Sequence, residues 1–182
     1  MSGPGLVVRT VGHGTLEEDA FIELLAGASV ARIVDVRRYP GSRRHPHFAR
    51  EAMERWLPAA GLEYRWLPAL GGRRRPTEGS PNAGLHNEQF RAYADHMASR
   101  EFQEGIAALL TAAAEEPTAV MCAESVWWRC HRRLIADHLV LVAHVRVEHL
   151  LHGGQVVAHD PLPGAVVVGD HVEYPPPPQL EV

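Results

Sequence analysis

The chain has 182 residues, of which 46% are hydrophobic and 22% charged, values typical of one globular domain with a single core. Its formal net charge of −4 argues against a protein that coats nucleic acid indiscriminately. All 18 cationic side chains are arginine, so catalysis through a lysine Schiff base, including pyridoxal-phosphate chemistry, is excluded, as is a P-loop lysine.

The first half of the sequence predicts a strand–helix–strand unit, followed by a further helix and strand. A strand over residues 6–11 leads to Thr15, which we expect to cap a helix over 16–28 with Glu18 completing a capping box. A buried strand follows over 31–36, and two strands joined through a helix pair in parallel. The next predicted elements are a loop over 39–46, a helix over 48–60, a strand over 62–67 and a glycine- and proline-rich, lid-like loop over 71–84.

The second half continues the alternation of strands and helices. Its predicted elements are helices over 86–97 and 100–114, a buried strand over 118–122, a helix over 130–142, and short strands over 145–149 and 155–158. This order predicts a single α/β domain over 1–165, a Rossmann-like, doubly wound and mostly parallel sheet with helices on both faces. The proline-rich segment 166–182 is predicted to be an extended C-terminal tail.

The sequence favours a cytoplasmic protein. No apolar run reaches the roughly 18–20 residues that a membrane-spanning helix needs, and the N-terminal segment lacks the pattern of a signal peptide. The two cysteines lie in one motif, which is typical of thiols or ligands rather than of a disulfide scaffold. We expect no membrane partner, and the sequence makes no prediction of the oligomeric state.

Titratable side chains follow three of the predicted strands. His13 comes after the first strand, Asp35 and Arg37 end the second, and Cys122 and Glu124 end the strand over 118–122. In doubly wound sheets, ligands bind beyond the carboxyl ends of the strands. We therefore expect these side chains to form the rim of an active site.

The segment from Cys122 to Arg132 carries the strongest signal. We expect Cys130, His131 and Arg132 in the first turn of a helix, where backbone N–H groups favour anions and thiolates. Three interpretations stay open. Glu124 is a general acid or base while Arg132 holds an anionic substrate; a cysteine is a nucleophile beside His131; or Cys122, Cys130 and His131 bind a metal, although their spacing matches no common zinc site. Alternatively, both cysteines pack as small hydrophobic residues.

A basic segment forms the second motif. Residues 37–50 contain five arginines, two histidines and no acid, and three more arginines follow at 73–75. Ser42 and Arg43 suit oxyanion binding, and Tyr39 suits stacking on a base or sugar. Asp35 is either a second catalytic carboxylate or the ion-pair partner of Arg37.

Together these motifs resemble a bacterial family, domain-of-unknown-function family 488. The matching blocks are Thr10-Val11-Gly12-His13; Asp35-Val36-Arg37 with Pro40, Ser42, Pro46 and Phe48; Leu70-Gly71-Gly72; and Cys122-Ala123-Glu124 with Cys130-His131-Arg132. One departure is Gly14, where the family pattern has serine. The resemblance implies an α/β fold and a shared site, suggests a link to nucleic-acid modification or repair, and implies no specific reaction.

We therefore expect an enzyme that processes a nucleic acid or nucleotide, most specifically a monofunctional DNA glycosylase that hydrolyses the N-glycosidic bond of a modified base. The catalytic candidates are Glu124, Asp35, His13 and Cys122, and neither a cofactor nor a metal is expected. The candidates for substrate or phosphate binding are Arg37, Tyr39, Ser42, Arg43, Gly71, Gly72, Cys130, His131 and Arg132. The alternatives are a cysteine-dependent sulfur-transfer or redox enzyme and a non-catalytic nucleic-acid-binding module.

Overall fold

The computed structural model describes residues 5–178, which form a six-stranded sheet with helices on both faces and a separate hairpin. The strands are β1 (Val7–Gly12), β2 (Arg32–Asp35), β3 (Glu63–Trp66), β4 (Thr118–Cys122), β5 (Arg146–Leu150), β6 (Val156–Ala158), β7 (Val166–Val168) and β8 (His171–Glu173). The helices are α1 (Glu18–Gly27), α2 (Arg50–Ala59), α3 (Glu88–Met97), α4 (Arg100–Glu115) and α5 (Arg132–Leu141). The predicted α/β fold is confirmed.

The sheet has the order β3-β2-β4-β1-β5-β6, and all of its pairings are parallel except that of β6 with β5. Strands β2 and β4, which are neighbours in the sheet, are buried along their whole length, as the sequence predicts for both. Helices α1 and α2 bury Phe21, Leu25, Met53 and Leu57 on one face. Helices α3, α4 and α5 cover the other face, where the larger of the two cores lies.

This topology creates a crevice at the carboxyl ends of the strands. The chain leaves β1 and β2 towards helices on one face, but it leaves β4, which lies between them, towards α5 on the other face. Loops from neighbouring strands therefore diverge, which is the arrangement that opens a ligand site in doubly wound sheets.

Four of the helices begin two residues later than predicted, namely α1, α2, α3 and α5. The chain turns at Gly14, whose φ is +52°, and α1 follows Glu17, which makes no side-chain cap; the predicted capping box of Thr15 and Glu18 is therefore wrong. Helix α5 begins at Arg132 rather than at Cys130, since a single 3₁₀ turn precedes an extended Cys130.

The segment predicted as an extended tail differs most from the structure. Strands β7 and β8 form a hairpin, and Val172 and Tyr174 are buried against the core that contains α3 and α5. The prolines after Tyr174 are typical of an extended chain, but the side chains of Val172 and Tyr174 before them pack into the core. Residues 179–182 of the predicted tail lie outside the described residues. Within residues 5–178, no helix is both long and apolar enough to cross a membrane.

Candidate active site at the carboxyl ends of the strands

A cleft of about 860 Å³ lies beyond the carboxyl ends of β1, β2 and β4. Its size falls within the roughly 300–1,000 Å³ typical of small-molecule sites. Among the described residues that line it, Glu124 is the single acid. The basic side chains lining the cleft are Arg37, Arg38, Arg43, Arg44, Arg73, Arg129, His13, His45 and His131. The cleft therefore combines one carboxylate with an excess of cationic groups.

Gly12 lets the loop that carries Glu124 approach the end of β1. Gly12 is opposite Cys122 in the sheet, and the N–H groups of His13 and Gly14 continue the ladder to the carbonyls of Cys122 and Ala123, at 3.0 and 2.9 Å. A Cβ atom at position 12 would lie 1.8 Å from the Glu124 carbonyl oxygen, inside any permitted contact. Only a glycine at position 12 therefore allows the loop that carries Glu124 to lie against the end of β1.

Asp35 lies beneath the cleft instead of lining it. Its carboxylate is fully buried and accepts hydrogen bonds from Nε and Nη2 of Arg37, at 2.9 and 2.7 Å, from the Arg37 backbone N–H, and from the Tyr64 hydroxyl, at 2.6 Å. Burial and the adjacent carboxylate raise the pKa of Tyr64, which keeps its hydroxyl a donor. Of the two predictions made for Asp35, the geometry favours the ion-pair partner of Arg37 over the catalytic carboxylate, because Arg37 and Tyr64 supply four hydrogen bonds to its oxygens.

His13 lines the cleft but is fixed in its neutral form. Arg37 Nη1 lies 3.2 Å from His13 Nε2, which must accept, so His13 Nδ1 donates to the Gly14 carbonyl at 3.0 Å. Burial, followed by the charge of Arg37, lowers the pKa of His13 to about 4. With both ring nitrogens engaged and its ring stacked on Phe48, His13 is suited to orienting Arg37 and not to transferring protons.

Arg132, predicted to bind phosphate, does not line the cleft. Its guanidinium is buried, and donates to the Thr10 hydroxyl at 3.2 Å and to the Glu124 carbonyl oxygen. The predicted position of Arg132 in the first turn of the helix is confirmed, but its side chain is directed towards Thr10 of β1 and not into the cleft. Arg132 therefore holds the turn that carries Glu124 and is not available to a ligand.

Most of the other predicted binding residues line the cleft, but they differ in how exposed their side chains are and in whether they already form hydrogen bonds. Tyr39 is 62% exposed, with the guanidinium carbons of Arg38 and Arg73 at 5.7 and 6.0 Å from its ring centre. Ser42 accepts the N–H of His45 at 2.9 Å and so shapes its loop, whereas Arg43 is exposed.

The two glycines of the lid-like loop differ in position. Gly72 lines the cleft against the His131 ring, whereas Gly71 does not line it and packs on the backbone of Arg38. A side chain at either position would force the loop away from its neighbour, since an added Cβ would lie within 3.0 Å of an Arg38 or His131 atom.

The two cysteines lie side by side at the cleft. Their sulfur atoms are 2.7 Å apart, both residues line the cleft, and both are largely buried. His131 Nδ1 lies 3.5 Å from the Cys130 sulfur, but within residues 5–178 no group of three or more His, Cys, Asp or Glu side chains is arranged to hold a metal ion. The structure therefore gives no support to the metal-site interpretation of these residues.

Sequence reasoning missed one wall of the cleft. Gln89, Phe90 and Tyr93 of α3 line it, and so does Arg129. Helical periodicity marks Tyr93 as a core residue but gives no indication that α3 borders a site at the end of distant strands. Tyr93 is buried, and its hydroxyl donates to the Leu70 carbonyl at 2.7 Å, which anchors the loop that follows Leu70.

A buried chain of hydrogen bonds continues from Arg132 away from the cleft. The Thr10 hydroxyl contacts His149 Nδ1 at 2.7 Å, His149 Nε2 contacts His159 Nδ1 at 2.9 Å, and His159 Nε2 contacts Asp137 at 2.6 Å. Because the Asp137 carboxylate only accepts, His159 donates to it through Nε2, and burial keeps the pKa of His149 at about 3, so the His149 imidazole is neutral. This network holds the Thr10 hydroxyl in place, and the Thr10 hydroxyl accepts a hydrogen bond from Arg132.

We expect the buried, neutral His149 to make folding less favourable in acid. Burial, followed by the charges of His159 and of nearby arginines, lowers the pKa of His149 to about 3, whereas the unfolded value is about 6.5. Between these values the unfolded chain binds a proton that the folded chain does not, so this stability is complete above about pH 6.5 and decreases by about 1.4 kcal/mol per pH unit as the pH falls.

Urea unfolding at about pH 7 and about pH 5 measures this dependence. The His149→Gln variant, which has no titrating ring, is expected to show a shallower pH dependence than the wild type. Equal slopes in the two proteins would contradict the assignment of His149 as the source.

Comparison with known proteins identifies the family. The family described as Domain of unknown function DUF488 matches residues 17–139, more than half of the 182 residues. The matched segment contains Arg37, Glu124 and both cysteines. No curated protein and no solved structure matches the chain. The chain therefore belongs to the DUF488 family.

Proposed function

We propose that this protein is an enzyme that binds a nucleic acid or nucleotide in the cleft and hydrolyses the N-glycosidic bond of a modified base. The observation that carries this proposal is the charge pattern of the cleft, in which the single carboxylate of Glu124 lies among arginines. Arginines suit phosphate groups, and an isolated carboxylate suits activation of water and stabilisation of a developing sugar cation.

The exposed arginines of the cleft support binding of phosphates. Arg43, Arg44 and Arg129 are exposed, and within residues 5–178 none of them forms an ion pair with an acid. An arginine without a partner has its charge available to a ligand, and its planar group can contact a phosphate through two donors. Arg37 differs, since its guanidinium is already held by Asp35.

The geometry of Glu124 suits a general base. Its Oε1 accepts the backbone N–H of Val126 at 3.0 Å, which orients the carboxylate, and its Oε2 has no hydrogen-bond partner among residues 5–178. In the proposed reaction, water adds its hydroxyl to the anomeric carbon and gives a proton to Glu124. The carbon–nitrogen bond breaks, and the departing base leaves with a proton supplied by Glu124 or by solvent.

Tyr39 provides a surface on which a base can stack. Its exposed ring lies within about 6 Å of the guanidinium groups of Arg38 and Arg73, so stacking and phosphate contacts can act together. Because the chain contains no lysine, no lysine Schiff base can form with an abasic sugar, and we expect hydrolysis without strand cleavage.

The test is a panel of oligonucleotides, each carrying a different modified base, incubated with the folded protein. Mass spectrometry is expected to detect one class of free base together with an uncut strand containing an abasic site. If no base is released from a broad panel while the oligonucleotides still bind, the hydrolase proposal fails and the non-catalytic binding module is favoured.

The exposed arginines also give a prediction about affinity. The Arg43→Ala/Arg44→Ala double variant is expected to bind a single-stranded oligonucleotide more weakly, with the slope of log affinity against log salt reduced by about 0.7 for each lost phosphate contact. Fluorescence anisotropy over a range of salt concentrations measures this slope. The control is Arg146→Ala. Arg146 is the first residue of β5, at the amino ends of the strands and away from the cleft, and this variant is expected to leave the slope unchanged. Equal slopes for the double variant and the wild type would exclude these side chains from phosphate binding.

A further inference from the structure

The cysteine pair carries a chemistry that the proposed hydrolysis does not use. Cys122 ends β4 and Cys130 precedes α5, and the turn between them brings their sulfur atoms to 2.7 Å, both at the wall of the cleft. We propose that Cys122 and Cys130 form a redox-active dithiol site that exchanges with small disulfide molecules entering the cleft. In this site Cys130 is the attacking thiolate and Cys122 is the resolving thiol.

The charge of Arg132 is the first observation that supports a thiolate. Its side chain is 1% exposed and, within residues 5–178, has no carboxylate within ion-pair distance; its two contacts through Nη atoms are with neutral oxygens of Thr10 and Glu124, and its Nε has no partner. A buried charge without a counter-charge is strongly unfavourable. The adjacent cysteine pair is the group that can supply a negative charge at this place.

The contacts of Cys130 indicate which sulfur carries that charge. The backbone N–H of Arg132, at the start of α5, donates to the Cys130 sulfur at 3.5 Å, and His131 Nδ1 lies at 3.5 Å. The hydroxyl-bearing ring of Tyr93 packs on the His131 ring from the α3 side. Burial opposes ionisation of Cys130, but the hydrogen bond from Cys122, the interaction with His131 and the charge of Arg132 lower the pKa of its thiol well below the ordinary value.

Cys122 has the complementary properties of a resolving thiol. It is 2% exposed, against 6% for Cys130, and burial together with the hydrogen bond to Cys130 raises the pKa of its thiol. Its remaining sulfur contact is the Glu124 carbonyl oxygen at 3.6 Å. Cys122 is therefore a protonated donor to Cys130 and the less accessible of the two thiols.

The exchange proceeds in two balanced steps. The Cys130 thiolate attacks one sulfur of a disulfide RSSR, forms a mixed disulfide Cys130–S–S–R and expels RS⁻. Cys122 then loses its proton to solvent or to the expelled thiolate, attacks the Cys130 sulfur and expels the second RS⁻. The protein dithiol is oxidised to a disulfide, and RSSR is reduced to two thiols, one protonated by the Cys122 proton and the other by a proton from solvent. The two sulfurs need to approach by less than about 1 Å to reach the bond length of about 2.05 Å.

Oxidised glutathione tests this assignment of roles. Incubation of the fully reduced wild type, followed by alkylation of remaining thiols and mass spectrometry, is expected to show the loss of both thiols without a lasting glutathione adduct. Cys122→Ser is expected to accumulate the mixed disulfide at Cys130, since no resolving thiol is present. Cys130→Ser is expected to remain unmodified at Cys122. Circular dichroism checks that both variants are folded.

Two results would overturn the proposal. One is a wild type that keeps both thiols, and the other is equal modification of the two single variants. Alkylation of the reduced wild type by iodoacetamide at about pH 6, where an ordinary thiol is protonated, gives a test that needs no cysteine variant. Cys130 is expected to react at least tenfold faster than free cysteine, and a rate equal to that of free cysteine would contradict a thiolate. Neither test measures base release. A negative result for the dithiol proposal therefore leaves the proposed hydrolysis unaffected.

Discussion

Glu124→Gln is expected to reduce the rate of base release by about 10²- to 10⁴-fold, the range that a positioned general acid or base contributes. Glutamine has nearly the same shape, and its amide oxygen still accepts the Val126 N–H that orients the native carboxylate. It cannot take a proton from water at neutral pH, and it carries no charge to stabilise a sugar cation. Single-turnover kinetics with excess protein measure the chemical step, and anisotropy measures the affinity separately.

The matched control is Glu116→Gln, an exposed glutamate at the end of α4 that does not line the cleft. This variant is expected to have the wild-type rate and affinity. Glu124→Gln is expected to bind the oligonucleotide at least as tightly as the wild type, because a negative charge near the phosphates is removed. An unchanged rate in Glu124→Gln would exclude this carboxylate from the chemistry.

Asp35→Asn is expected to have the largest effect on stability. The carboxylate of Asp35 is fully buried and is the counter-charge of the largely buried Arg37. Asparagine leaves that guanidinium without a negative partner, and breaking a buried ion pair from one side costs about 3–5 kcal/mol. Urea unfolding is expected to show a lower midpoint with an unchanged slope, which indicates a loss of stability rather than a change in the surface exposed.

Two further variants separate the ion pair from the hydrogen bonds around it. Tyr64→Phe removes one hydrogen bond to Asp35 and is expected to cost about 1 kcal/mol. The double variant Asp35→Leu/Arg37→Met removes both charges and is expected to be more stable than Asp35→Asn. If Asp35→Asn were no more destabilising than Tyr64→Phe, the ion pair would not be the interaction that holds this edge of the sheet.

These two experiments assign different roles to two carboxylates that looked equivalent in the sequence. Asp35 is the last residue of the buried strand β2, Glu124 lies two residues after the buried strand β4, and arginines follow each of them in the sequence. The structure places the first beneath the cleft with its oxygens saturated and the second at the cleft with one oxygen unpaired. We therefore expect Asp35 variants to unfold more easily and Glu124 variants to remain folded.

The sequence alone determined the order of strands and helices as far as residue 158, although not the hairpin of β7 and β8, and it determined the edge of the sheet at which the candidate site lies. Residues 31–36 and 118–122 form buried strands in which most side chains are apolar, and this property is local. The carboxyl ends of parallel strands share one edge, so His13, Arg37 and Glu124 were expected to meet, and all three line the cleft. Local sequence patterns were therefore enough to predict the position of a residue wherever a single strand or helix determines that position.

Only the tertiary structure decided which way the polar side chains point. Arg132 contacts Thr10, 122 residues away, and Thr10 contacts His149, 139 residues away. The buried Tyr174 donates to Asp137 across 37 residues, which anchors a segment that its prolines alone would leave extended. Hydrogen bonds of this kind depend on the packing of distant segments, and no spacing within a motif encodes them.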